Sequence, residues 1–216
     1  MELISISHLT KNFGKVEVLK DISLVYQSGT IYGLVGENGS GKTTLFGCII
    51  GVHKYNGSIK KTEQLKIGYL PAESFFYSLI TGMEYIEFCM KAKGESVNQE
   101  KIKQLNAIFQ LPLERYASEY STGMKKKLSL IALLLQENDV YILDEPFNGV
   151  DLKGCIQLKR LIHSLKENGK TIIISSHQIA VLHEISDSIH YLNNHTIIKQ
   201  YIHESIEEIE NDILSL

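Results

Sequence analysis

The chain contains few arginines and few cysteines, and each shortage argues against a class of function. Arginine occurs only at Arg115 and Arg160, so the sequence has no arginine cluster that could bind phosphates in a bidentate manner. The three cysteines, Cys48, Cys89 and Cys155, are widely separated and match no metal-binding spacing. We therefore expect them to be small, buried, apolar residues of a protein in a reducing compartment.

Long apolar runs and a strong charge of either sign are also missing. The longest apolar run, 128–135, is interrupted by Ser129 and is much shorter than the ~20 residues of a membrane-spanning helix. The net charge is −3 and the isoelectric point about 6.2, so we expect no nucleic acid as a partner. The start Met1-Glu2-Leu3-Ile4 lacks the basic segment of a signal peptide, and we therefore expect a cytoplasmic protein.

Strand and helix patterns alternate along most of the chain, which predicts an α/β fold. The 216 residues, of which 44% are hydrophobic, suit one domain with an ordinary core. The alternation predicts a mainly parallel sheet covered on both faces. We expect short strands at 3–6 and 22–25, a hairpin-like segment at 56–58, strands at 31–35, 65–70, 140–143, 171–175 and 197–201, and helices ending near 51 and at 126–136, 152–167 and 179–185.

Between about 73 and 127 the apolar residues recur at helical spacing, with lysines and glutamates between them. This pattern predicts a helical subdomain inserted into an α/β core of residues 1–72 and 128–216, the whole chain forming one domain. A further amphipathic pattern at 204–216, with a possible capping box at Ser205 and Glu208, predicts a short C-terminal helix packed on the domain.

A glycine-punctuated loop at 36–43 follows the predicted strand 31–35 and precedes a helix. It matches the P-loop spacing G-x-x-x-x-G-K-[ST] in its required strand–loop–helix context. Glycines allow the backbone N–H groups to converge on phosphate oxygens, and the helix dipole assists. Lys42 would contact the β- and γ-phosphates, and the Thr43 hydroxyl would bind Mg²⁺. The predicted site for a nucleoside triphosphate consists of Gly36, Asn38, Gly39, Ser40, Gly41, Lys42, Thr43 and Thr44.

Two carboxylates, Asp144 and Glu145, directly follow the apolar segment 140–143. A strand buried on both sides would place Asp144 at the carboxyl edge of the sheet, beside the P-loop. Asp144 there can hold Mg²⁺, and Glu145 can polarise the attacking water as a general base.

The segment Tyr120-Ser121-Thr122-Gly123-Met124, followed by basic residues and an apolar helix, resembles the signature motif of ABC ATPases. Ser121 and Gly123 stand at the positions that contact the γ-phosphate in that family. Tyr120, Thr122 and Met124 differ from the residues most common in its signature motif, L-S-G-G-Q. The physical logic is that a hydroxyl, a glycine N–H and a helix dipole form a second anion site.

The resemblance extends over essentially the whole chain. Phe13 matches the aromatic residue that stacks on adenine. Asp151, at the end of Asn148-Gly149-Val150-Asp151, lies in what resembles the D-loop that crosses a dimer interface. His177 matches the histidine that hydrogen-bonds the γ-phosphate.

The resemblance implies a P-loop NTPase (RecA-like) core with a mainly parallel sheet, a small antiparallel β part at the N-terminus and a helical subdomain insertion. It also implies binding of ATP and Mg²⁺, with hydrolysis by Glu145 and His177. The expected partners are a second ATP-binding subunit, in a head-to-tail dimer, and an integral membrane permease subunit. We expect the dimer to be a homodimer on the inner face of the membrane, acting in export.

One position departs from the family pattern. Ala72 stands where the family has the Q-loop glutamine, and its methyl group cannot bind Mg²⁺ or position a water. Glu73 would substitute if the loop were shifted by one residue. The aromatic residues at 75–77 lie where the family docks its membrane subunit, and their pattern fits a docking surface and a buried core equally.

Two other functions remain open from the sequence. One is a soluble ABC ATPase of a non-transport assembly complex, although the chain has neither the long coiled coil of chromosome-associated members nor a second ATPase domain. The other is an ATP-binding module that hydrolyses ATP weakly because of Ala72.

Overall fold

The structure is a computed structural model that describes residues 1–215, and its strands form two sheets. The strands are β1 (Glu2–Phe13), β2 (Val16–Gln27), β3 (Ile31–Val35), β4 (Asn56–Lys61), β5 (Ile67–Leu70), β6 (Val140–Asp144), β7 (Thr171–Ser176), β8 (Ser188–Asn193) and β9 (Thr196–Tyr201). The helices are α1 (Lys42–Ile49), α2 (Gly82–Ala92), α3 (Gln99–Phe109), α4 (Thr122–Leu135), α5 (Leu152–Glu167), α6 (Ile179–Ile185) and α7 (Ile206–Ser215).

The larger sheet has the order β5-β6-β7-β3-β8-β9 and is parallel except for the final pair, β8 with β9. Every residue of β3, β6 and β7 is buried, which is the pattern of strands covered on both faces. The register pairs Asp144 with Ser175 and Val35 with Ser176. The carboxyl ends of these three strands therefore lie side by side, at the edge where α/β proteins bind ligands.

The smaller sheet is antiparallel, in the order β2-β1-β4, and differs in detail from the sequence prediction. The strands expected at 3–6 and 22–25 are longer than predicted, because β1 and β2 each run for 12 residues. Register shifts between the two strands let pairing continue where the apolar alternation is broken. The segment at 56–58 is not a hairpin, because β4 pairs with β1 while β5 joins the other sheet.

Two further elements differ from prediction. Helix α4 begins at Thr122 rather than at 126, because Ser121 caps it by accepting the Met124 N–H. Strand β8 was not predicted, and it lies between β3 and β9. In the C-terminal segment the predicted capping box is confirmed, because the Ser205 N–H donates to Glu208 Oε2 at 2.7 Å and the Glu208 N–H donates to Ser205 Oγ at 3.3 Å. Helix α7 begins directly after Ser205, and Leu216 lies outside the described residues.

The helices α2 and α3 lie between β5 and β6, in the range predicted as a helical subdomain. Their buried residues, including Ile86, Met90 and Ile102, belong to one hydrophobic cluster with Leu128 and Ile131 of α4. Because α4 extends across the expected boundary at 128, the division into a core and a subdomain stays a prediction. None of the helices within residues 1–215 combines the length and the apolar character needed to cross a membrane.

Candidate functional site

A cavity of about 300 Å³ opens at the carboxyl edge of the larger sheet, beside the start of α1. It is lined by residues from the P-loop, from the end of β6 and from the segment after β5. The lining residues are Val18, Asn38, Gly39, Gly41, Lys42, Thr43, Thr44, Ala72, Asp144, Glu145 and Asn148.

The P-loop wraps tightly around the start of α1. Gly41 has a φ of 111°, and a Cβ there would lie 2.9 Å from the Val18 carbonyl oxygen. A Cβ on Gly36 would lie 2.4 Å from the Leu192 carbonyl oxygen, so neither position can carry a side chain without moving the backbone. Lys42 is buried, and its Nζ donates to the carbonyls of Gly36, at 2.7 Å, and Glu37, at 3.0 Å. The loop therefore holds its lysine ammonium against its own backbone.

Asp144 is fully buried and is tied to three elements. Its Oδ2 accepts a hydrogen bond from Thr43 Oγ1 at 2.6 Å and a longer one from the Tyr69 hydroxyl at 3.4 Å, while its Oδ1 accepts from Ser175 Oγ. Burial, and then the Asp144 carboxylate, raise the pKa of Tyr69, so its hydroxyl stays protonated and can donate. A hydroxyl and a carboxylate in contact supply the hard oxygen ligands that Mg²⁺ prefers.

Glu145 has a left-handed backbone conformation, with a φ of 46°. A non-glycine residue in this region costs on the order of 1–3 kcal/mol, and such strain is concentrated at functional sites. The Glu145 N–H donates to Ser175 Oγ at 2.9 Å. Its carboxylate lies 3.1 Å from His177 Nδ1 through Oε2 and 3.6 Å from Lys42 Nζ through Oε1. The strained turn thus directs the carboxylate to both the lysine and the histidine.

Two buried oxygens at this site have no hydrogen-bond partner among the described residues, namely Ser40 Oγ and Glu145 Oε1. Buried polar atoms are normally satisfied, so an unpartnered one calls for an explanation. A phosphate group and an attacking water would supply partners to the hydroxyl and to the carboxylate. Together with the Thr43–Asp144 contact, these oxygens fit a nucleoside triphosphate with a divalent cation.

Three of the predicted nucleotide-binding residues lie in a second cluster and do not line the cavity. Ser121 caps α4, and a Cβ on Gly123 would lie 2.4 Å from the Gly149 carbonyl oxygen. Asp151 forms an ion pair of 2.5 Å with Lys127, and this hydrogen bond lowers the pKa of the Asp151 carboxyl. Within the described chain, these three residues therefore lie apart from those that line the cavity.

Phe13 lies at the end of β1, with 47% of its surface exposed. Its ring packs edge-on against His53, with centroids 5.3 Å apart, and Lys11 Nζ lies 4.4 Å from its centroid. The ring is therefore held in place and open to solvent, although it does not line the cavity.

Sequence reasoning missed Ser175 and Tyr69, which hold the acidic pair (Asp144 and Glu145) in place. Ser175 could have been noticed as a polar residue directly after the apolar run 172–174, but nothing local in the sequence distinguishes Tyr69. Ala72, which stands where the family has the Q-loop glutamine, lines the cavity. Glu73 is exposed and does not line it.

The model of the family described as ABC transporter matches residues 19–148. The chain belongs to this family, the ABC ATPases. It is 33% identical over 192 residues to an uncharacterized ABC transporter ATP-binding protein of Synechocystis, covering 81% of this chain and 54% of that one. It is 32% identical over 212 residues to the bacitracin transport ATP-binding protein BcrA of Enterococcus faecalis, covering 92% and 68% of the two chains. The chain thus spans about half the length of the Synechocystis relative.

Solved structures show the same fold. An ATP-binding subunit of an ABC transporter superposes with a TM-score of 0.84 at 25% identity, covering 98% of this chain and 93% of that one. A dimeric, post-hydrolysis ATP-binding cassette bound to ADP and Pi superposes with a TM-score of 0.82 at 20% identity, covering 94% and 100%. The ABC ATPase has a P-loop NTPase fold with one mainly parallel and one antiparallel sheet, as the sequence predicted.

Proposed function

We propose that this ABC ATPase binds ATP with Mg²⁺ at the P-loop, hydrolyses it, and uses the cycle to drive a separate membrane subunit. The observation that carries the proposal is the continuous set of contacts around the acidic pair. Thr43 contacts Asp144, and Lys42 and His177 flank the Glu145 carboxylate. These are the groups that phosphoryl transfer requires for charge stabilisation, for cation binding and for positioning of water.

Each group has a role that follows from its contacts. The Lys42 ammonium, which now donates to the loop carbonyls, would instead donate to the β- and γ-phosphates when the nucleotide binds. Thr43 and Asp144 would hold Mg²⁺, which supplies positive charge to the phosphate oxygens when bound. Glu145 would accept a proton from the attacking water as that water bonds to the γ-phosphorus and ADP leaves. His177, already in contact with Glu145, would donate to the γ-phosphate.

The second cluster supports a dimer. Ser121, Gly123 and Asp151 do not line this chain's cavity, yet Ser121 and Gly123 lie at the start of a 14-residue helix, where backbone N–H groups and the dipole favour an anion. In a head-to-tail homodimer each second cluster would face the P-loop of the other subunit. The dimeric cassette of the same fold is consistent with this arrangement.

The membrane partner is inferred from an exposed apolar surface, and the direction of transport from a relative. Four large apolar residues near the start of the helical part, between residues 73 and 92, are exposed, namely Phe75, Tyr77, Leu79 and Phe88. A cluster of this kind fits a protein interface, and we assign it to an integral membrane permease, with the ATPase on the cytoplasmic, inner face of the membrane. The name of BcrA as a bacitracin transport protein is consistent with an export function.

A second candidate function, ATP binding with weak hydrolysis, is favoured by one observation. Ala72 lines the cavity at the position of the family's glutamine, and its methyl group adds no oxygen to the site.

Phosphate release by the purified chain, with and without Lys42→Ala, tests the proposal. The wild type should hydrolyse ATP in the presence of Mg²⁺. Lys42→Ala should lose triphosphate binding, measured by calorimetry, because Lys42 supplies the P-loop's ammonium. Lys60→Ala, an exposed lysine on β4, serves as the control and should behave as the wild type. Equal ATP affinity in Lys42→Ala and the wild type would contradict the assignment of the P-loop.

A further inference from the structure

Lys126 is a buried lysine that the proposed mechanism does not use. It lies on α4, five residues after the cap Ser121, and it is 5% exposed. Lysines are almost never buried this fully unless their ammonium has partners. The partners of Lys126 Nζ are two backbone carbonyls, that of Pro71 at 3.1 Å and that of Ala72 at 2.5 Å.

The two carbonyls lie at the start of the loop that joins β5 to α2. Pro71 has no backbone N–H to donate, and no helix or strand lies between the end of β5 at Leu70 and the start of α2 at Gly82. Ala72 lines the cavity, but its methyl group cannot hydrogen-bond. An ammonium that bonds both carbonyls therefore fixes the backbone at the position where the side chain cannot.

The acidic residues of the site also influence the Lys126 ammonium. Burial lowers the pKa of Lys126, and the carboxylates of the acidic pair and of Glu73 act in the opposite direction. Lys126 thus contacts the segment at Ala72 from α4, the helix that Ser121 caps.

We propose that Lys126 is a positioning residue that holds the Pro71–Ala72 segment against the candidate ATP site and links that segment to the start of α4. Any displacement of α4 would move the two carbonyls with the ammonium. The inference rests on the proposed ATPase function, because the segment matters through its effect on hydrolysis.

The first test measures the segment directly by limited proteolysis with a protease that cleaves after aromatic residues. Phe75 and Tyr77 are 77% and 61% exposed and follow the held carbonyls closely. Lys126→Met should be cleaved there at least about fivefold faster than the wild type, because cleavage tracks the open population. The control Lys125→Met, which alters the adjacent lysine of the same helix, should be cleaved at the wild-type rate.

The second test separates positioning from binding through the kinetics of ATP hydrolysis. In Lys126→Met, kcat should fall by about tenfold or more while KM stays within about threefold of the wild type. Lys126→Arg keeps donors for both carbonyls and should recover most of kcat. Thermal melting checks that the variants fold. If Lys126→Met does not fold, Lys126→Gln replaces it, because its side chain is uncharged and one bond shorter than that of lysine, and the same losses of protection from cleavage and of kcat are expected.

Cleavage and kcat that both match the wild type in Lys126→Met would overturn the inference. A parallel loss of ATP affinity and kcat, with no recovery in Lys126→Arg, would overturn it as well. If the wild type hydrolyses no ATP, the proposed function fails, while the proteolysis test still decides whether Lys126 holds the segment.

Discussion

Ser175→Ala is expected to weaken the fold and the active site together, because one hydroxyl serves two adjacent groups. Ser175 is fully buried at the end of β7. Its Oγ donates to Asp144 Oδ1 and accepts the Glu145 N–H at 2.9 Å. Alanine would leave a buried N–H without this partner and would remove one hydrogen bond from a buried carboxylate.

The expected size follows from these two losses. An unsatisfied buried N–H costs about 1–3 kcal/mol, and a hydrogen bond to a charged group contributes about 1.5–3 kcal/mol. We expect a loss of about 3 kcal/mol, which lowers the melting temperature of a chain of this length by about 6–12 °C. The Glu145 carboxylate would also lose its fixed position, so kcat should fall by at least about tenfold.

Differential scanning calorimetry and phosphate release measure the two effects. The matched control is Ser176→Ala on the same strand, where the hydroxyl makes one local bond, from the Gln178 N–H, and the expected loss is about 1 kcal/mol. A melting temperature and a kcat for Ser175→Ala that equal those of Ser176→Ala would refute the reasoning.

Three further predictions concern the candidate contacts with the nucleotide and with Mg²⁺. His177→Ala should bind ATP normally but lower kcat by about tenfold or more, the usual effect of losing one positioned donor; normal turnover would contradict its role. Phe13→Ala should weaken ATP binding about tenfold in calorimetry, since stacking of one base on an aromatic ring contributes about 1–3 kcal/mol, whereas Phe88→Ala should not. Ala72→Gln should raise basal hydrolysis and Glu73→Ala should leave it unchanged, and the opposite ranking would assign the metal-site role to Glu73.

The parts of the fold that were predictable are those whose signal is local. The P-loop was predicted from its spacing and from the strand and helix patterns beside it, and the bounds of α5 (152–167) and α6 (179–185) were confirmed residue for residue. Their apolar periodicity and flanking polar residues are complete within a short window. The placement of Asp144 beside the P-loop followed from one rule, that the carboxyl ends of parallel strands meet at one edge.

The missed features depend on contacts between distant parts of the chain. The bonds of Ser175 to the acidic pair span about 30 residues, and those of Lys126 to the segment at Ala72 span about 54. Local periodicity carries no information on which strands become neighbours, so these contacts become visible only once the sheet order is known. The same limitation explains the missed β8, which is recognisable by its pairing with β3.

The mass of Glu145→Gln in the presence of Mg·ATP tests the central claim most directly. The variant removes the proposed base but keeps the shape of the side chain, so it should bind ATP, fail to hydrolyse it, and remain in a dimer joined by two ATP molecules. Light scattering should then give twice the 24.4 kDa of the single chain, while the exposed-residue control Glu167→Gln should hydrolyse ATP as the wild type does. A monomer at saturating ATP, or wild-type hydrolysis in Glu145→Gln, would contradict the account.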